Sequence, residues 1–146
     1  KMYPPLRSLE DVAAVRAGLA EGVIDCVATD HAPHSAHEKD VPFDEAPRGV
    51  IGLETAASVV HATMGFDIAT FFDRLAEGPR RILGAPSGLV EVGVPADLVV
   101  FAPDEEWIPD RFRSRSENSP WRGQVLRGRV EATFAGGELI YRKGET

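Results

Sequence analysis

Apolar positions recur at helical spacing over Ser8–Glu21, where Val12, Val15 and Leu19 share one face. Ser8, with Asp11 three positions later, reads as a capped start, and Gly22 reads as the stop. The next run, Val23-Ile-Asp-Cys-Val-Ala28, is short and rich in β-branched residues. It predicts a buried strand, so helix, glycine and strand together make half of a βαβ unit. Residues 35–52 have no sustained period and carry Pro42, Pro47, Gly49 and Gly52, which predicts a long loop of functional or disordered kind. Helices are expected over Leu53–Thr63, over Ile68–Glu77 with Asp67 as its cap, and over Pro79–Leu83. From Gly84 onward the character changes. Short strands are expected at Leu89–Val92, Asp97–Phe101, Gly128–Ala135 and Glu138–Arg142, with Gly136-Gly137 as a hairpin turn. The charged stretch Asp104–Arg122 predicts surface loop with at most one strand. The chain therefore divides into an α/β part, 1–83, and a β-rich tail, 84–146.

Composition narrows the function classes. The 146 residues are 43% apolar and 27% charged, enough for a core without a disulfide or metal staple. No apolar run is long enough for a membrane-spanning helix, and the start has no apolar core of the kind a secretory signal needs. The first residue is Lys, so the chain is read as the tail of something longer. Cys26 is the single cysteine, which excludes an intrachain disulfide. The net charge of −7 argues against nucleic acid as a partner, despite the basic run Arg111–Arg115.

The candidate chemistry lies just past the expected strand. Thr29-Asp-His-Ala-Pro-His34 places a carboxylate and two imidazoles within five residues, with Pro33 stiffening the backbone between them. The C-terminal end of a buried strand is where α/β barrels and open α/β sheets bind ligands. Carboxylate and imidazole are zinc ligands, and an Asp beside bound water is also a proton acceptor. The same residue types also suit a plain turn after a strand. The pattern is incomplete as a metal site, since zinc takes three or four protein ligands. Of the other histidines, His37 is loop-borne and His61 reads as an ordinary helical residue. Cys26 reads as a small buried apolar residue, and Glu54 as a helix-start acid. Arg74, Arg80 and Arg81 read as a solvated helix face, and Trp107 and Trp121 as cover for the β-rich tail.

Three blocks together carry a resemblance: Pro4-Pro-Leu-Arg7, Thr29-Asp-His-Ala-Pro-His34 and Gly52-Leu-Glu-Thr55. In content and spacing they look like the dihydroorotase family of the amidohydrolase superfamily, in its larger bacterial type. Gly93-Val-Pro-Ala-Asp-Leu-Val-Val-Phe101 and the closing Thr133–Tyr141 segment are similar to the strands that follow the barrel in that family.

The resemblance implies an α/β fold: the C-terminal portion of a (β/α)8 TIM-like barrel over 1–83, then a small β-rich sandwich tail over 84–146. It implies a cytoplasmic hydrolase that interconverts dihydroorotate and N-carbamoyl-L-aspartate in pyrimidine biosynthesis, with one or two zinc ions. Asp30 falls at the position of a metal ligand and proton-transfer base. His34 falls at a position that holds the substrate carboxylate, and Pro47–Gly49 at a segment that closes over the ring. Two positions depart from the family pattern. Tyr3 stands where the pattern K-x-N-P-P-L-R has Asn, and Arg48, before Gly49, stands where Phe is frequent. Tyr3 and Arg48 are therefore candidate substrate contacts with altered chemistry, beside Gly49. The family's remaining metal ligands precede this segment in longer chains. The chain alone is accordingly expected to bind zinc weakly and to lack turnover, with the missing part of the barrel as its partner. Two other readings are a non-catalytic subunit that scaffolds aspartate transcarbamoylase and a hydrolase of hydantoinase or allantoinase type. A homo-oligomer is compatible with each.

Overall fold

The computed structural model describes residues 1–86, 88 and 90–145. Helix α1 spans Leu9–Glu21 and starts as the sequence predicts. The Ser8 hydroxyl accepts the Asp11 N–H at 3.2 Å, the Asp11 carboxylate accepts the Ser8 N–H at 3.2 Å, and Gly22 ends the helix in the left-handed conformation. Its apolar stripe is mostly uncovered: Leu19 is buried, while Leu9 is 89% and Val15 52% exposed.

The expected strand over Val23–Ala28 does not form. A parallel barrel strand exists only through ladders to its neighbours, and no strand runs beside this segment among the described residues. Its backbone bonds instead to helical elements, Ile24 N–H to the Gly18 carbonyl at 3.0 Å and Val27 N–H to the Arg74 carbonyl at 3.1 Å. A β-branched run encodes a fit to a sheet and cannot supply the sheet. The barrel part of the expected fold class is thus represented here by helices and extended chain.

The long loop also departs from expectation, because it contains a single helical turn, α2, Ala36–Lys39. Ser35 donates to Glu38 from both its N–H, at 2.8 Å, and its hydroxyl, at 2.6 Å. Helix α3, Ala56–Met64, is followed by α4, Ile68–Phe72, with Asp67 accepting the N–H groups of Ala69 and Thr70. A π-helical stretch, Asp73–Glu77, leads into α5, Gly78–Leu83. There the Gly78 N–H reaches back five residues to Asp73, and Pro79 has no N–H to restore the ordinary register.

The tail forms a three-stranded antiparallel sheet in the order β1 (Leu98–Trp107), β2 (Leu126–Ala135), β3 (Glu138–Arg142). Gly136 and Gly137 turn between β2 and β3 with φ of 58° and 89°, the pair of positive values that a tight primed turn requires. Strand β1 runs into the stretch expected to be loop, with irregular register after Val100 and Ala102. Of the strand expected at Leu89–Val92, Leu89 lies outside the described residues and Val90 to Val92 form no strand.

The tail packs on the first part through α3. Ser58 donates to the Gly128 carbonyl at 2.6 Å, and the Trp107 indole donates to Ser58 at 3.0 Å. The core is small, built on Ile51, Val60, Phe71 and Leu126, with Phe71 stacked on Phe101 at 4.9 Å. His61 joins it as a structural residue, edge-on to both phenyl rings and bonded to the Pro103 carbonyl at 3.0 Å. Among the described residues, no helix is long and apolar enough to cross a membrane.

Two single-residue expectations are corrected. Arg74 is not on a solvated face: its side chain is 12% exposed, and its Nε donates to the Leu19 carbonyl at 2.7 Å, joining the π-helical stretch to the end of α1. Glu54 is more than a helix-start acid, because its carboxylate accepts the N–H groups of Arg113 and Ser114 at 2.8 and 3.1 Å.

Candidate active site

The segment Thr29–His34 has no regular structure, and Asp30 sits in the left-handed region at φ 44°. Asp is among the few non-glycine residues that adopt this conformation at tolerable cost. Asp30 is exposed, and no hydrogen bond or ion pair engages its carboxylate among the described residues.

His31 turns the other way. Its Nδ1 accepts the N–H groups of Gly52 and Leu53 at 3.1 and 3.3 Å. A nitrogen that accepts carries no proton, so the ring proton is on Nε2. His31 therefore caps the turn that leads into α3 and offers no free lone pair.

His34 is held at its ring and at its backbone. Its Nε2 donates to the Arg48 carbonyl at 3.0 Å, a carbonyl being able only to accept. Its backbone N–H donates to the Asn118 side-chain carbonyl at 3.2 Å. The Asn118 amide nitrogen donates in turn to the Ala32 carbonyl at 2.9 Å, and the Ala32 N–H donates to the Val50 carbonyl at 2.9 Å.

The loop that faces His34 is tied down from several sides. Lys39, at the end of α2, donates to the carbonyls of Pro47 and Gly49, each at 2.7 Å. The Gly49 N–H donates to the Lys1 carbonyl at 2.8 Å, so both backbone groups of this candidate residue are engaged within the chain. Gly49 is buried at φ 97°, and a Cβ there would lie 2.5 Å from the Ala32 Cβ, so glycine is the residue that fits. The Arg48 guanidinium lies over the Tyr3 ring at 4.3 Å. Beside the loop, the Ser35 hydroxyl and then its N–H hold the Glu38 carboxyl below the usual range, with smaller contributions from His34 and His37.

Of the residues singled out in the sequence, Tyr3, His34, Arg48 and Gly49 thus form one connected patch. Asp30 lies on the same segment as His34 with a free carboxylate. Lys39 and Asn118 join them without any local mark in the sequence. Asn118 precedes Ser-Pro and reads locally as a turn residue, and Lys39 reads as a surface charge.

The donor set is not that of a complete zinc site. Asp30 has suitable chemistry as one ligand, while His31 is occupied as a cap. Among the described residues, no group of three or more His, Cys, Asp or Glu side chains gathers as ligands. A cleft of ≈ 790 Å³ lies elsewhere, between α3 and the sheet, lined by Glu54, Trp107, Arg113, Arg129 and Tyr141 among others. Tyr3, Asp30, His34, Arg48 and Gly49 are not among its lining residues.

The fold can be placed by comparison. The structure is similar to D-hydantoinase (dihydropyrimidinase) from Thermus sp., with a TM-score of 0.85 and 26% identity over 99% of this chain and 34% of that one. Dihydropyrimidinase from Brevibacillus agri NCHU1002 shares the fold with a TM-score of 0.87 at 20% identity, again over 99% of this chain and 34% of that one. The sequence pattern of the Amidohydrolase family matches residues 6–140, and the chain belongs to that family. In sequence it is 45% identical over 150 residues to a dihydroorotase of Anaeromyxobacter dehalogenans (strain 2CP-C), covering 99% of this chain and 35% of that protein. It is 46% identical over 146 residues to a dihydroorotase of Pelotomaculum thermopropionicum, covering 96% and 34%. The chain therefore spans about a third of the length of the curated relatives it matches.

Proposed function

We propose that this chain acts as the C-terminal third of a zinc-dependent cyclic amide hydrolase of the dihydroorotase type. The whole enzyme interconverts dihydroorotate and N-carbamoyl-L-aspartate in pyrimidine biosynthesis, in the cytoplasm. The observation that carries this reading is the unpaired Asp30 carboxylate on the same short segment as His34, whose ring is aimed by the Arg48 carbonyl. Sequence identity of 45% to a dihydroorotase over nearly the whole chain supports the choice of substrate.

In this reading, residues 1–83 are the last βα elements of the barrel, and residues 84–146 belong to the β-rich segment beside it. The exposed face of α1 and the unladdered run Val23–Ala28 support it, since both are surfaces that neighbouring barrel elements cover. Asp30 would be this chain's ligand to the one or two zinc ions, which would activate the attacking water, and the other ligands would come from outside the chain.

The roles of the chain's own residues follow from their chemistry. Asp30 takes a proton from the attacking water and delivers it to the ring nitrogen as the C–N bond breaks. His34 gives its Nε2–H to Arg48, so its imidazolium form directs Nδ1–H to the substrate carboxylate. Tyr3 and Arg48 form the outer wall, where Arg48 attracts an anionic substrate. Gly49 shapes the loop that carries Arg48.

A hydantoinase-type activity is the second reading, favoured by the fold likeness to the Thermus enzyme at 26% identity. Turnover by the full-length protein decides between them. Consumption of dihydroorotate with hydantoin spared supports the first reading, and the reverse transfers the assignment. Absence of both activities leaves the scaffold and the allantoinase-type hydrolase.

A further inference from the structure

We propose that Asn118 is a positioning residue for substrate-carboxylate binding, acting through the backbone on either side of Pro33. The proposal rests on the role given above to His34.

The geometry is that of a missing strand partner. Pro33 has no N–H, so the stretch Ala32–His34 cannot be held by an ordinary ladder at its centre. The Asn118 side-chain amide takes that place, donating to the Ala32 carbonyl at 2.9 Å and accepting the His34 N–H at 3.2 Å. An amide is the smallest side chain that both donates and accepts in one plane. The Asn118 backbone carbonyl accepts the Ile51 N–H at 3.3 Å, and the adjoining Val50 carbonyl accepts the Ala32 N–H at 2.9 Å. The bonds close a ring through Ala32, Val50, Ile51 and Asn118. This ring ties the segment that bears His34 to the loop that bears Arg48.

Asn118 is itself held by its surroundings. Arg122 forms an ion pair with Glu117, the Ser119 N–H donates to the Glu117 carbonyl at 2.8 Å, and the Trp121 N–H donates to the Ser119 hydroxyl at 3.2 Å. Pro120 restricts Ser119 to extended conformations. The result is a short closed turn that presents the Asn118 amide to Ala32 and His34. Asp30 lies outside the ring, two residues before Ala32, so loss of Asn118 acts on binding more than on proton transfer.

The test uses the full-length protein with Asn118→Leu and Asn118→Asp. Asn118→Asp keeps the acceptor but sets a carboxylate oxygen against the Ala32 carbonyl, and it serves also if the leucine variant does not fold. The expected result is a KM for dihydroorotate raised about tenfold with kcat changed less than about threefold, since hydrogen bonds of this kind are worth about that factor. Amide exchange at His34 is expected to accelerate about tenfold or more in the same variants. Unchanged KM, or a fall in kcat at unchanged KM, overturns the proposal. So does unchanged exchange at His34. The exchange measurement needs no substrate. Accelerated exchange in a protein that does not turn over dihydroorotate locates the failure in the functional reading and upholds only the tether from Asn118 to the His34 backbone, so the role in carboxylate binding falls with that reading.

Discussion

The Arg48 guanidinium lies 4.3 Å from the centre of the Tyr3 ring, so the two positions at which the sequence departs from the dihydroorotase pattern are in contact. A cation held over an exposed phenol gains about 0.5–1 kcal/mol. The two side chains are thus placed to act as a pair. Its effect on substrate binding is expected to be coupled. In a double-mutant cycle with Tyr3→Asn and Arg48→Phe in the full-length protein, KM values for dihydroorotate should deviate from additivity by about 0.5 kcal/mol or more. Additive effects would show that the two side chains act separately.

His31 is expected to behave as a structural cap. Its Nδ1 holds the Gly52 and Leu53 N–H groups, so His31→Ala should accelerate amide exchange at those two residues. It should leave the zinc content of the full-length protein unchanged. A loss of one equivalent of zinc would instead make His31 a ligand.

The acid limb of stability should depend on Asp73. A hydrogen bond from Arg81, followed by the charges of Arg81 and Arg74, holds its carboxyl below the ordinary value of 3.8. A carboxyl whose folded value is depressed contributes stability above the unfolded value, and that contribution is lost as pH falls through the folded one. Thermal unfolding followed downward from about pH 6 should show the midpoint falling below about pH 4, with a shallower fall in Asp73→Asn. An acid limb of the same depth in that variant would remove Asp73 from the account.

Where the determinants are local, the sequence is readable. Ser8, Asp11 and Gly22 delimit α1 because capping is settled within one turn of chain. Gly136-Gly137 marks the β2–β3 hairpin because positive φ selects for glycine. The run Val23–Ala28 carries the composition of a strand, but a strand's existence depends on partners elsewhere, and here its backbone turns to Gly18 and Arg74. The site divides in the same way. Asp30 and His34 stand out by type and spacing, yet spacing alone also promotes His31, whose Nδ1 is spent on the backbone of Gly52 and Leu53. Asn118 is 84 residues from His34, and no pattern in one sequence joins them. A helical arginine is usually solvated, and only tertiary structure brings the Leu19 carbonyl to Arg74.

The proton transfer proposed for Asp30, in a hydrolase completed by residues outside this chain, is open to direct measurement. It is tested most directly by dihydroorotate turnover in the full-length protein carrying Asp30→Asn. Asparagine is nearly the same size and cannot take up the proton. The account predicts a fold unchanged by circular dichroism and a kcat lowered about 10²–10⁴-fold, whereas His34→Ala chiefly raises KM. A folded Asp30→Asn protein with near-native kcat would contradict it.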